Sequence, residues 1–231
     1  MMPDIKLQTQ FARQSGLLST ERLNTKLNII GAGAIGSFSA LTLSKMGFTD
    51  ISVYDADTVE LHNLPNQFYR ECDIGKPKVT ALKEIIQAFT GTEIKAYQEM
   101  YKAQSIAGIT ISGVDSMDVR IGIWEKLKFN IRVPLLLDAR MGGEVMMLIA
   151  INPSDIADIK RYEASLYTSK DAIKLRCTQQ AIIYTLLHVS GYIANTVKRF
   201  VMNEGYDKGI IFDTNTGMLM TDMPEMNEEV A

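Results

Sequence analysis

Residues 27–55 read LNIIGAGAIGSFSALTLSKMGFTDISVYD, and this stretch decides the fold. LNIIG is a short apolar run that enters the glycines Gly31, Gly33 and Gly36. The segment that follows carries apolar residues at helical spacing and stops at Gly47. DISVYD then reads as a second strand ending in Asp55. A strand, a glycine turn, a helix and a strand form a unit whose two strands must lie parallel. The glycine pattern G-x-G-x-x-G lets backbone come close to a phosphate or ribose, while the helix N-terminus offers free N–H groups. Asp55 stands 24 positions after Gly31, where a carboxylate can accept from both ribose hydroxyls. A nucleotide site is expected here. The competing reading is that the glycines only permit close helix packing.

Working outward, the alternation continues. KPKVTALKEIIQAF reads as a helix, EIKAYQE and GITISGVD as strands, and MDVRIGIWEKLKF as an amphipathic helix. After about residue 132 the pattern changes. VPLLLDAR and EVMMLIAINP are apolar runs separated by Met-Gly-Gly, which suggests consecutive antiparallel strands. Residues 153–177 read as a mixed, mostly polar excursion. A long helix is expected from Thr178 to Asn203, stopped near Gly205, and GIIFDTNTGMLMT reads as a hairpin around Asp213 to Gly217. The expected fold is α/β: a Rossmann-like doubly wound sheet, parallel in its N-terminal half and with antiparallel strands in its C-terminal half. The 231 residues suit one domain, with a nucleotide-binding half over about 25–140 and a C-terminal substrate or partner half over about 141–223.

Composition narrows the classes. The 24 basic and 27 acidic residues give a net charge of -3, which provides no electrostatic footprint for nucleic acid. The N-terminus lacks a basic start followed by an apolar core, and no stretch reaches the roughly 18 unbroken apolar residues of a membrane span. A cytoplasmic location with no membrane partner is expected. Only Cys72 and Cys177 are present, without Cys-x-x-Cys spacing, so no structural zinc is expected.

The continuation YDADTVELHNLPNQFYRECDIGKPKVTAL is more specific than the glycines. It resembles the ThiF/HesA/MoeB adenylyltransferase family, the bacterial relatives of ubiquitin-activating enzymes. The family pattern of Asp-x-Asp, Asn-Leu-x-Arg-Gln and Gly-x-Pro-Lys is matched by Asp55, Asp57, Asn63, Leu64, Gln67, Gly75, Pro77 and Lys78. SGVDSMDVR resembles the family's Thr-Asp-Asn segment, with Asp115 in the acidic position and Arg120 following. FARQ resembles its Arg-Tyr-x-Arg-Gln, with Arg13 and Gln14 kept and Gln10 in place of the first arginine. The likeness is sharp from about 10 to 140 and looser to about 203.

The resemblance implies binding of ATP with magnesium and transfer of AMP to a carboxylate, releasing pyrophosphate. The implied acyl partner is a small ubiquitin-like or sulfur-carrier protein with a C-terminal glycine tail. It also implies site roles: Gly31, Gly33, Gly36, Asp55, Asp57, Asn63, Gln67 and Lys78 around the nucleotide, and Asp115 on the magnesium. Arg13 corresponds to an arginine that crosses a dimer interface to the neighbour's ATP, which implies a homodimer. The chemistry agrees: two anions are brought together, so cations, donors and a metal are needed, whereas an ionised carboxylate needs no general base.

Bland readings stand beside these. Lys78 could be a solvated helix-start lysine, Asp115 an ordinary N-cap before Met117, and Arg13 a surface charge. Asn66 stands where the family has a phosphate-contacting arginine, and Arg70 could compensate. That departure motivates a second reading, a nucleotide-binding scaffold of low or no activity that pairs with an active relative. A third, an NAD-dependent oxidoreductase, explains the glycines and Asp55 but leaves Asn63, Gln67 and Lys78 without a use. Cys177, before the long helix and beside Arg176, is either a thiol that receives the activated acyl group or a small buried hydrophobe. Cys72, between Glu71 and Asp73, has less claim. Tyr184 and His188 read as packing residues. Arg140, beyond the end of an apolar strand, either meets a substrate carboxylate or phosphate or pairs with Asp138 or Glu144.

Overall fold

The computed structural model describes residues 9–101, 106–167 and 182–221. Eight strands form one sheet in the order β3-β2-β1-β4-β5-β6-β7-β8. They are β1 Leu27–Ile30, β2 Ile51–Tyr54, β3 Lys95–Tyr97, β4 Ile109–Ser112, β5 Leu136–Gly142, β6 Val145–Ile151, β7 Gly209–Asp213 and β8 Met218–Thr221. The first five pair in parallel and the last three add antiparallel strands. This is the doubly wound arrangement expected from the sequence.

Burial explains the strand sequences. All residues of β1, β2 and β4 are buried, as befits parallel strands covered on both faces, so they read as unbroken runs rather than alternations. The helices that cover the parallel half are α1 Ala34–Lys45, α2 Lys78–Thr90 and α3 Met117–Leu127. Glycines in the left-handed region end α1 and α2, at Gly47 (φ 103°) and Gly91 (φ 73°).

Two further helices, α4 Ile156–Ala164 and α5 Ile183–Val201, complete the layers. One apolar core lies between the sheet and α1, α2 and α5, and a smaller one lies beneath α3 and α4. In the smaller core the rings of Trp124 and Tyr162 meet edge to face at 4.7 Å. Such a pair adds about 0.5–1.5 kcal/mol beyond the area it buries.

Some boundaries depart from the sequence reading. The polar excursion contains α4, whose only buried apolar positions are Ile159 and Tyr162, three apart on one edge. Asp155 caps it by accepting from the Asp158 amide at 2.9 Å. So narrow an apolar edge gives little periodic signal. Helix α5 runs over Ile183–Val201, after an extended Ile182, and the expected start at Thr178 lies outside the described residues; past its end Asn203 takes φ 56°, before Gly205. Asparagine tolerates that conformation and so replaces the expected glycine stop. The β5–β6 connection is the two-residue turn Gly143-Glu144, with Gly143 at φ 61°. In the β7–β8 hairpin the Asp213 carboxylate accepts from the amides of Asn215 and Thr216.

Strand β1 is flanked by β2 on one side and β4 on the other, so the chain order reverses between β1 and β4. In open α/β sheets ligands bind in the crevice at the carboxyl ends of the strands where this reversal falls.

Candidate functional site

A cleft of about 1040 Å³ opens at that reversal. Gly31 and Gly33 line it, as do Asp55, Asp57, Asn63, Asn66, Gln67, Lys78, Asp115, Arg120 and Arg140.

The glycine turn is built by close approach. Gly31 sits at φ 92°, and a Cβ there would stand 3.2 Å from the Gly113 carbonyl oxygen. A Cβ on Gly36 would stand 1.8 Å from the Gly31 carbonyl oxygen. Gly36 does not line the cleft, so its role here is to let α1 pack against the turn. The Asp55 carboxylate accepts from the Ala32 amide at 2.6 Å and from the Asp57 amide at 2.8 Å. It therefore braces the turn and still has lone pairs for a ligand. Tyr69 closes the turn from behind, its hydroxyl donating to the Ala32 carbonyl at 2.6 Å. Burial, and next the charge of Asp55, push that phenol well above its ordinary range. Nothing in the sequence pattern pointed to Tyr69.

Lys78 opens α2 and is buried, its side chain 9% exposed. A tight turn at Gly75 (φ 86°), followed by Pro77, delivers it to the cleft. Its amide donates to the Asp57 carbonyl and its ammonium to the Asp57 carboxylate, both at 2.9 Å. Asp57 is thus the holder of Lys78. The solvated-lysine reading does not fit this burial.

Asn63 is buried and its side-chain oxygen accepts from the Glu60 amide at 2.9 Å. The side-chain oxygens of Asn66 and Gln67 are buried without a partner. The amide nitrogens of all three side chains donate to no group among the described residues. Arg70 does not reach this wall. It forks onto Asp73 at 2.8 and 2.7 Å and lies outside the cleft, so it does not compensate for Asn66.

Ser116, not Asp115, is the N-cap of α3, accepting from the Val119 amide at 3.4 Å. Asp115 is left exposed, with its carboxylate unpaired among the described residues. No group of three or more His, Cys, Asp or Glu that could hold a metal occurs among the described residues. A lone free carboxylate suits magnesium, which takes one or two carboxylates and completes its shell with phosphate oxygens and water.

Arg120 and Arg140 both donate to Asp138, at 2.6 and 2.8 Å, so Arg140 pairs with Asp138 rather than Glu144. Glu144 instead accepts from the Tyr184 hydroxyl. His188 packs on Phe212 with ring centroids 5.0 Å apart. At the cleft's other edge Tyr54 stacks on Tyr97 and meets Tyr101 edge to face. Burial, helped by Tyr54, pushes the Tyr101 hydroxyl up to about 12. The sequence reading passed over these tyrosines, whose only signal is aromatic spacing around a strand end.

Besides Gly36, one expected residue that the structure describes is not in the cleft. Arg13 is exposed on the segment before β1 and does not line it. Cys177 lies outside the described residues. Cys72 is exposed beside Asp73, away from the cleft.

A braced glycine turn at a strand-order reversal, faced by a buried lysine and unpaired amides, defines a doubly wound α/β protein with a phosphate-type cradle. The ThiF family's sequence profile matches residues 6–228, and the chain belongs to that family. It is 36% identical over 107 residues to the NEDD8-activating enzyme E1 catalytic subunit of Caenorhabditis elegans, covering 42% of this chain and 24% of that one. It is 32% identical over 117 residues to the Arabidopsis thaliana subunit of the same description, covering 48% of this chain and 26% of that one. The matches span about a quarter of the length of these curated relatives. Among solved structures, PaaA superposes with a TM-score of 0.76 at 17% identity, over 95% of this chain and 74% of that one. Escherichia coli MccB with AMPCPP and MccA superposes with a TM-score of 0.72 at 14% identity, over 96% and 73%. At such identities these structures speak for the fold alone. No helix among the described residues is long and apolar enough to cross a membrane.

Proposed function

We propose that this chain binds ATP in the cleft and transfers AMP to a carboxylate, the C-terminal glycine of a small ubiquitin-like or sulfur-carrier protein, with release of pyrophosphate. The observation that carries the proposal is the buried Lys78, held by Asp57 in the same cleft as the glycine turn and the unpaired amides. The oxidoreductase reading accounts for the glycine turn and Asp55 but assigns no role to Asn63, Gln67 and Lys78. Family membership and the relatives named as NEDD8-activating enzymes support the acyl substrate, and MccB has been crystallised with ATP.

In this reading Asp55 orients the ribose, while the Lys78 ammonium meets the polyphosphate as a point charge. The amides of Asn63, Asn66 and Gln67 donate to phosphate oxygens without adding charge. Asp115 would hold magnesium, which supplies screening between the two anions when bound. The acyl carboxylate oxygen attacks the α-phosphorus, and the bond to the bridging oxygen breaks. Pyrophosphate leaves with that electron pair, and no proton needs to move. Positioning is the main catalytic contribution. The chain acts as a homodimer in which Arg13, exposed and unpaired among the described residues, completes the neighbour's cleft.

A second reading, a nucleotide-binding scaffold, is favoured by one observation: Asn66 faces the cleft while Arg70 is committed to Asp73. ATP–pyrophosphate exchange with candidate carrier proteins separates the two. Exchange above the carrier-free background supports adenylation, whereas ATP binding with no exchange for any carrier supports the scaffold.

A further inference from the structure

Asp138 is fully buried in β5 and takes two guanidinium groups. Arg120 reaches it from α3, and Arg140 reaches it from two positions further along β5. Neither arginine pairs with a second carboxylate among the described residues. Two cations share one anion, so the cluster carries one unmatched positive charge, on side chains only 4% and 13% exposed. An unmatched charge in such surroundings is costly. It becomes favourable when an anion of matching geometry arrives.

Arg140 faces the cleft and is rigidly held. One terminal nitrogen donates to the Ser165 carbonyl at 2.8 Å and the other to the Ser165 hydroxyl at 3.0 Å. Its guanidinium also lies over the Tyr162 ring at 5.8 Å. Each terminal nitrogen has two hydrogens, so one N–H on each remains unused. An unused N–H on a buried guanidinium offers a charge-assisted donor to a carboxylate oxygen.

The register says which anion. Ser112 pairs with both Ile30 and Asp138, so β1 and β4 end level with Asp138, the glycine turn follows directly on Ile30, and Arg140 stands two residues beyond Asp138 on β5. Arg140 is two strand spacings from the turn, about 10 Å. The segment carrying Asp115 lies between them. Lys78 is held by Asp57, just past β2, and β2 and β5 flank β1 on opposite sides in the sheet order, so Arg140 reaches the cleft from the side away from Lys78.

We propose that Arg140, backed through Asp138 by Arg120, anchors the C-terminal carboxylate of the acyl substrate. One carboxylate oxygen accepts from an unused Arg140 N–H and the other is directed toward the glycine turn. Arg120 and Asp138 are positioning residues, since their task is to fix Arg140. This assignment rests on the adenylation reading and names the substrate-binding residue of the same site.

The test follows the arginine Nε–H signals of the full [15N]arginine-labelled chain by NMR, with the Arg140 signal identified by its loss in R140K. Glycylglycine is the probe and glycylglycinamide its uncharged control. Glycylglycine shifts the Arg140 signal and the amide does not. R140K, which keeps a cation on Asp138, weakens glycylglycine about tenfold or more, the loss expected for a charge-assisted pair. It changes AMPCPP affinity, measured by calorimetry, by less than about twofold. Equal shifts from dipeptide and amide overturn the proposal, as does an Arg140 signal that moves with AMPCPP but not with glycylglycine, which would make it a phosphate ligand. AMPCPP that fails to bind at all counts against the adenylation reading, while the dipeptide comparison still decides Arg140.

Discussion

Replacing Gly36 by alanine tests the glycine turn most directly. The added Cβ would sit 1.8 Å from the Gly31 carbonyl oxygen, 2.9 Å from its carbonyl carbon and 3.2 Å from Ile29 Cγ2. An ordinary contact needs about 3.5 Å, so helix and turn must separate by roughly 1.7 Å. The turn has little room to retreat. The Gly31 amide donates to the Tyr54 carbonyl at 2.9 Å, and the space beside Gly31 is filled by the Gly113 carbonyl, 3.2 Å from where a Cβ would stand. Overpacking of this kind costs about 1–3 kcal/mol, which corresponds to a melting shift of roughly 2–12 °C in a chain of this size. The larger consequence falls on the site, because a displacement of about 1 Å in a positioning element can cost on the order of a hundredfold in rate. Gly33→Ala is the control: nothing lies within 4 Å of a Cβ there, yet Gly33 lines the cleft. Thermal melts and ATP calorimetry should show Gly36→Ala losing both stability and affinity, and Gly33→Ala losing affinity alone. A Gly36→Ala protein with wild-type melting and wild-type ATP binding would refute the reasoning.

Three further outcomes are expected. Lys78→Met should lower ATP–pyrophosphate exchange about a hundredfold or more while melting near the wild type, because the Asp57 it leaves behind is 70% exposed and stays hydrated; exchange within a few-fold of wild type would remove Lys78 from the mechanism. Asp138→Asn strips the shared anion from two buried guanidiniums and should cost about 3–5 kcal/mol in a urea titration, so a loss under about 1 kcal/mol would contradict the buried cluster. The Asp73 carboxyl is held down to about 2, first by its hydrogen bond from Arg70, against an ordinary value of 3.8. Its folded pKa is depressed, so its contribution is present above about pH 4 and fades as pH falls through about 2. The urea-midpoint gap between the wild type and Asp73→Asn should therefore be full at pH 5 and narrow toward pH 2, and a gap independent of pH would exclude the linkage.

The sequence by itself determined the sheet's parallel half and the nucleotide-type turn. Glycines between an apolar run and a periodic helix have one low-strain solution, and fully buried parallel strands announce themselves as unbroken apolar runs. Local spacing placed Lys78 at a helix start, but only the resemblance singled it out from a solvated lysine, and its burial against Asp57 came from the fold. Tertiary structure decided the rest, since the partners are distant in sequence. Whether Asp115 capped α3 or stood free turned on Ser116 taking the cap, and one residue of register cannot be read from composition. Arg70 was drawn to a fully buried carboxylate on its own turn, where the charge is matched, rather than to the cleft. Arg120 and Arg140 converge on Asp138 only because α3 and β5 pack together, and that packing gathers two buried guanidiniums at an unremarkable strand end. The nine residues of α4 escaped detection because two buried side chains mark them, and only the sheet beneath shows what those two face.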